Sequence, residues 1–144
     1  MIREANKFDR DGIIEMMKEF RDSADFNEIL ADDNVEYWHR LLDTIFAGAG
    51  KIFYQEGKGL LMCVIMPTVW DDKSFALHEL AWFVRPEHRK GLSGFRLFDA
   101  YIQYGKELKE AGRIKYFTIT KLDVSPDLDY GRYGFRKKDE NWIQ

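Results

Sequence analysis

Residues Arg89-Lys90-Gly91-Leu92-Ser93-Gly94 have the makeup of a turn that can hold phosphate. The hydrophobic run Trp82-Phe83-Val84 precedes them and a long amphipathic stretch follows, so a strand should pass through a glycine-bearing turn into a helix. The first four N–H groups of a helix lack internal partners, and the helix dipole places about half a positive charge at that end. Such a junction attracts an anion. Gly91 and Gly94 carry no Cβ and let the backbone come close to it. Glycines at a strand-helix junction also serve the turn alone, so this spacing leaves both readings open.

Charge is uneven along the chain. Arg85, Arg89, Lys90 and Arg96 face Glu87 alone between positions 85 and 96, whereas Asp22, Asp25, Glu28, Asp32, Asp33 and Glu36 share their stretch with no lysine or arginine. The acidic stretch, with Asp71 and Asp72 beside Trp70, can draw in a cationic molecule or be a solvated face. Cys63 lies inside Leu60-Leu61-Met62-Cys63-Val64-Ile65-Met66 with no nearby histidine, which reads as a core thiol and not a nucleophile. His78 and Glu79 are adjacent on a strand and point to opposite faces, which argues against a dyad. His88, beside the turn, reads as a nucleotide contact or a solvated residue, and His39 falls on a helix.

The elements that must position these residues follow from periodicity. Ile2 to Ala5 reads as a strand, and Asp9 or Asp11 can cap a helix bearing Ile13, Ile14, Met17 and Phe20. Asn34 can cap a second helix with Tyr37, Trp38, Leu41, Leu42 and Ile45, ended by Gly48 and Gly50. Lys51 to Gln55 and Leu60 to Met66 form an antiparallel hairpin through Glu56-Gly57-Lys58-Gly59. Thr68 to Lys73 reads as a loop, and Phe75 to Val84 as a strand buried on both faces, stopped by Pro86. The clearest helix runs from Ser93 to Ala111 on the stripe Leu97, Phe98, Tyr101, Ile102, Gly105 and Leu108, with Gly112 as its C-cap. Ile114 to Thr120 is a further strand, Ser125-Pro126 starts a short helix, and Phe135 to Ile143 closes with strand character. This order gives an α/β sheet of mixed direction.

Size and composition bound the rest. The 144 residues suit one domain, positions 1-144, and 45% hydrophobic, 15% aromatic and 33% charged residues describe a globular chain with ample core. The apolar run from Leu60 to Pro67 falls short of the ~20 residues of a membrane helix. With no signal-peptide pattern after Met1 and one cysteine, a cytoplasmic location is expected. One cysteine and three scattered histidines supply no metal site. A net charge of -3 argues against nucleic acid as partner.

The strand-turn-helix resembles motif A of the GNAT superfamily of N-acetyltransferases, whose Arg/Gln-x-x-Gly-x-Gly/Ala loop wraps the pyrophosphate of coenzyme A. Val84-x-Pro86-Glu87-x-Arg89 looks like the usual lead-in, and Arg89 and Gly94 match the ends of the loop. Leu92 stands where the middle glycine belongs. Downstream, Tyr130, Gly134 and Phe135 match the family's Asn-x-x-Ala-x-x-x-Tyr-x-x-x-Gly-Phe signature, with Asp123 in place of Asn and Pro126 in place of Ala.

The resemblance implies a GNAT fold, with helices on both faces of a mixed sheet and a short C-terminus. It also implies acetyl transfer from acetyl-CoA to a primary amine, either a small cationic amine or a protein lysine or N-terminus. On this reading Arg89, Lys90, Gly91, Leu92, Ser93, Gly94, Asp123 and Tyr130 contact the coenzyme, and its arm pairs with the backbone of Phe83, Val84 and Arg85. A backbone N–H at Phe83 or Val84 faces the oxyanion. Glu79 is the candidate base, its alternative being an ion-paired strand residue; Tyr130 is the candidate acid, its alternative being a core tyrosine. A homodimer is common among similar proteins. Leu92 and Asp123 also admit a GNAT-fold module that binds coenzyme A without turnover.

Overall fold

Asn6 starts the helical part of the chain with a reciprocal cap. Its side chain accepts from the Phe8 N–H at 2.9 Å, and the Asp9 carboxylate accepts from the Asn6 N–H at 2.9 Å. The computed structural model describes residues 1–24, 33–122, 125 and 128–144. In it the cap sits on a 3-10 turn, Lys7–Asp9, that leads into α1, Arg10–Ser23. Of the two candidates, Asp9 does hold the N-cap position of α1, but its side chain makes no cap bond there. The Asp9 carboxylate is already taken by the Asn6 amide and by two bonds from Arg3, at 2.7 and 2.8 Å. The α2 helix, Val35–Thr44, starts as expected, with Asn34 accepting from the Tyr37 N–H at 3.0 Å.

Five strands form one sheet in the order β1 (Arg3–Glu4), β2 (Gly50–Gln55), β3 (Gly59–Thr68), β4 (Asp71–Val84) and β5 (Tyr116–Thr118). The first four pair antiparallel, and β5 runs parallel to β4. The long helix α3, Ser93–Glu110, makes the crossover that a parallel pair requires. Gly50 begins β2 because nothing larger fits: a Cβ there would lie 1.9 Å from the Cys63 carbonyl oxygen.

Period-two alternation sorts the strands between two cores. Ile52, Tyr54, Leu60, Met62, Ala81 and Phe83 pack under α1 and α2. Leu61, Cys63, Leu77 and Val84 pack under Leu97, Tyr101 and Leu108 of α3. Helices thus cover both faces of a mixed sheet, as expected.

Three boundaries differ from the sequence reading. The segment 68–73 is not a loop: β3 runs to Thr68 and β4 begins at Asp71, joined by the exposed pair Val69 and Trp70. The Asp71 carboxylate accepts from the Lys73 N–H and the Ser74 hydroxyl, which stiffens the start of β4. β5 is three residues long, and 135–143 forms no strand. Phe135 is drawn into ring contacts with Phe98 and Phe117, and the charged run Arg136 to Glu140 that follows has no apolar face to bury. Of the short helix expected at Ser125-Pro126, Pro126 lies outside the described residues; a 3-10 turn occurs at Tyr130–Tyr133.

Candidate active site

The start of α3 is bare. Leu92 holds the N-cap position, makes no side-chain cap and leaves no acidic residue in the first turn. The first amide to find a helical partner is that of Arg96, which donates to the Leu92 carbonyl at 2.9 Å. The N–H groups of Ser93, Gly94 and Phe95 have no acceptor among the described residues. A Cβ built on Gly91 would meet only the His88 carbonyl oxygen, at 3.8 Å, so the protein itself does not require glycine there. Lys90 is exposed on this turn, and Ser93 is buried beneath it.

Arg89 and Arg85 are committed differently. Arg89 Nε donates to the Val84 carbonyl at 2.8 Å and lays its guanidinium 5.6 Å from the centre of the Phe83 ring, which ties the turn to the end of β4. Arg85 points to the other side, pairing with Glu19 at 2.9 Å and donating to the Gly57 carbonyl at 3.1 Å. Its backbone N–H donates to the Lys58 carbonyl at 2.8 Å. By strand alternation Phe83 also turns its amide toward β3, and Trp82 and Val84 turn theirs the other way. Of the two amides expected to face an oxyanion, that of Val84 points to the side where β5 is absent.

That side is a fork. β5 pairs with β4 only at Ala76, Leu77 and His78, opposite Tyr116, Phe117 and Thr118, after which the two strands part. The register of β4 on β3 skips Leu80 between Glu79 and Ala81, a bulge that re-aims the strand where the fork begins. Beyond the last paired rung the Thr120 N–H donates 3.1 Å to the Glu79 carboxylate, so a side chain takes the place of the next backbone acceptor. The buried Tyr101 hydroxyl, reaching down from α3, lies 2.5 Å from the Thr118 carbonyl and 3.4 Å from that of Leu77, pinning both strands at the crotch.

Burial pushes the Glu79 carboxyl up to about 7 against the opposing Thr120 bond. It therefore changes protonation near neutral pH, the range in which a general base works. The same burial raises Tyr101 and pushes the Cys63 thiol up to about 12, so Cys63 is an inert core group whose Sγ reaches the Lys51 carbonyl at 3.4 Å. His78 lies on the face opposite Glu79, 3.0 Å from the Thr118 hydroxyl, and no dyad forms.

Tyr130 sits on the 3-10 turn with its ring edge-on to Phe98 at 5.9 Å, and Phe98 stacks on Trp82 at 5.0 Å. Tyr130 is thus one ring removed from the open edge of β4. Asp123 lies outside the described residues. Sequence reading did not find Tyr101, Thr120 or the buried Gln55. Tyr101 carried a signal only as a member of the apolar stripe of α3. Among the described residues no group of three histidine, cysteine or acidic side chains could hold a metal ion.

No family model matches this chain, and no curated protein matches it in sequence. Solved structures do match in three dimensions. A predicted acetyltransferase from Clostridium acetobutylicum, with acetyl-CoA, aligns over 100% of this chain and 94% of its own at a TM-score of 0.72 and 15% identity. A GNAT family acetyltransferase from Staphylococcus aureus aligns over 100% and 96% at a TM-score of 0.64 and 16% identity. An aminoglycoside acetyltransferase from an uncultured soil metagenomic sample, in complex with sisomicin, aligns over 100% and 92% at a TM-score of 0.68 and 13% identity. The chain has the α/β fold of the GNAT acetyltransferases.

Proposed function

We propose that this protein, built on the GNAT fold, transfers an acetyl group from acetyl-CoA to a primary amine. One observation carries the reading. An uncapped helix start that leaves three amides for an anion stands at the end of the strand that also holds, at its fork, a carboxyl with a pKa of about 7. The residues fit the coenzyme: the amides of Ser93, Gly94 and Phe95 suit a diphosphate, and Gly91 leaves room for it. The outward amide and carbonyl of Trp82 suit an extended arm laid along β4 as an added strand.

A thioester supplies an already activated acetyl group. The chain must hold a neutral amine beside it and stabilise the charge that grows on the carbonyl oxygen. The Val84 N–H is the donor for that charge. An alkyl amine with a pKa near 10.4 is neutral in only about one molecule in 2,500 at pH 7, a cost of roughly 4.6 kcal/mol. Glu79, ionised above about pH 7, takes the proton, directly or through water. Tyr130 donates its phenol proton to the departing thiolate.

The acceptor is a small cationic amine or a protein lysine or N-terminus, and the enzyme works in the cytoplasm. The aminoglycoside acetyltransferase on the same fold supports the small-molecule arm; in the acid-rich stretch from Asp22 to Glu36, Asp22 and Asp33 already pair with Arg21, and Asp33 also with Lys18. Calorimetry with acetyl-CoA, followed by free-thiol release with a polyamine, an aminoglycoside and a lysine peptide, tests the reading. Binding with thiol release on at least one amine is expected. Binding without release on any amine would leave a coenzyme-binding module, and no binding would remove both.

A further inference from the structure

The Tyr101 hydroxyl holds the same place relative to both strands of the fork. It lies 3.4 Å from the carbonyl of Leu77, two residues before Glu79, and 2.5 Å from the carbonyl of Thr118, two residues before Thr120. Just above it the Thr120 N–H meets the Glu79 carboxylate at 3.1 Å. Thr118 is the last rung of the β4–β5 ladder, so no backbone pairing with β4 holds Thr120 in place. What fixes Thr120 is the anchoring of Thr118 below it, by Tyr101 at its carbonyl and by His78 Nδ1, 3.0 Å from its hydroxyl. Gly105, one turn after Tyr101 on the same face of α3, lets the helix come this close to β5: a Cβ there would stand 2.7 Å from the Phe117 ring. Tyr101 is fully buried with its ring edge-on to Phe117. A phenylalanine would fill the same space, and the hydroxyl adds only the bonds at the crotch.

We propose that Tyr101 is a positioning residue: by fixing Thr118 it holds the Thr120 N–H against Glu79 and so aims the base into the fork. The role rests on the function proposed above, in which Glu79 takes the proton of the amine. An N–H that donates to a carboxylate favours its charged form. Here that bond opposes the burial that pushes Glu79 up to about 7. The other titratable groups facing Glu79 are Cys63, its partner on β3, and Tyr101 on α3; burial raises both, and they stay neutral through this range. His78 turns to the opposite face of β4. Loss of the Tyr101 hydroxyl frees Thr118, loosens the Thr120 bond and leaves burial unopposed, so Glu79 should hold its proton to higher pH.

Carbon NMR of the Glu79 carboxyl, followed through a pH titration together with the Thr120 amide, tests this without substrate. In the unaltered protein both should titrate with one midpoint near 7. In Tyr101→Phe the midpoint should rise by about half a pH unit or more, and the Thr120 amide should cease to follow it. At neutral pH kcat/KM should fall about fivefold or more, with coenzyme affinity within about twofold. Leu108→Val, a core change farther along α3, should lower the Tm without moving the midpoint. An unmoved midpoint in Tyr101→Phe with Thr120 still following, or an equal rise in Leu108→Val, would overturn the proposal and leave Tyr101 a packing residue. The Tyr101 ring resonances of the unaltered protein, which need no variant to fold, should shift with the same midpoint; their indifference would overturn it as well. Absence of turnover on any amine in the unaltered protein would instead remove the acetyltransferase reading, and the titrations would still decide what Tyr101 does to Glu79.

Discussion

The helix starts on the two faces of the sheet are finished in opposite ways. Under α1 and α2, Asn6 and Asp9 cap each other, Asn34 caps α2, and Arg3 closes on Asp9 with two short bonds. Across the sheet, α3 starts on Leu92 with its first amides open, β4 and β5 part after three rungs, and a half-buried carboxyl stands at the fork. Each omission has a cost. A missing N-cap forgoes about 1 kcal/mol, and ionising a half-buried carboxyl has its own cost. A chain that finishes its polar groups on one face has the residues to do so on the other. The groups left open at β4, α3 and β5 are where a ligand would complete the structure.

The largest effect should come from the fork. Glu79→Gln should lower kcat/KM by roughly 10²- to 10⁴-fold, the usual range for a lost acid-base group. The rise of rate through pH 7 in the unaltered protein should vanish with it, as a pH-rate profile would show. The same carboxyl governs stability. Its folded pKa, about 7, stands above its ordinary 4.5, so between these pH values the folded chain keeps a proton that the unfolded chain has released. Stability should fall as pH rises through that window, by up to about 3 kcal/mol. Thermal melts of Glu79→Gln should lack the fall.

Next in size is a variant that makes the two kinds of helix start alike. Leu92→Asp supplies α3 with the cap it lacks and should add about 1 kcal/mol of stability. It also sets a carboxylate where the diphosphate would rest, and should weaken acetyl-CoA binding by roughly 100-fold, since like charges placed together cost several kcal/mol. Gain of both stability and affinity would break the comparison. Tyr130→Phe should lower kcat about tenfold or more while leaving coenzyme affinity within twofold; unchanged turnover would return Tyr130 to the aromatic cluster around Phe98.

The smallest effect is the mirror of Leu92→Asp. Asn34→Ala removes a finished cap and should cost about 1 kcal/mol in chemical denaturation with no change in coenzyme affinity.

Local signals were the legible ones. The α2 cap at Asn34, the hairpin at Gly57 and the glycine-bearing start of α3 are written within a few neighbouring residues, and the structure keeps all three. Asp9 stands at the N-cap position its sequence offers, yet its carboxylate is claimed by Arg3, a partner that only the turn back from β1 supplies. The end of the chain was misread for a related reason. Phe135 has strand-like chemistry, but Phe98 and Phe117 capture its ring before a ladder can form. Glu79 was found as a residue and not as a wedge, since Thr120 meets it across 41 positions of sequence. Tyr101 at the crotch is visible only once α3 is laid on the sheet.

Hydrogen exchange at single amides tests the claim that the open start of α3 is a ligand site. In the free protein the amides of Ser93, Gly94 and Phe95 should exchange fast, while that of Tyr37, held by Asn34, exchanges slowly. Saturating acetyl-CoA should slow the first three and leave Tyr37 unchanged. Protection of those three amides in the free protein, or no change when coenzyme is added, would contradict it.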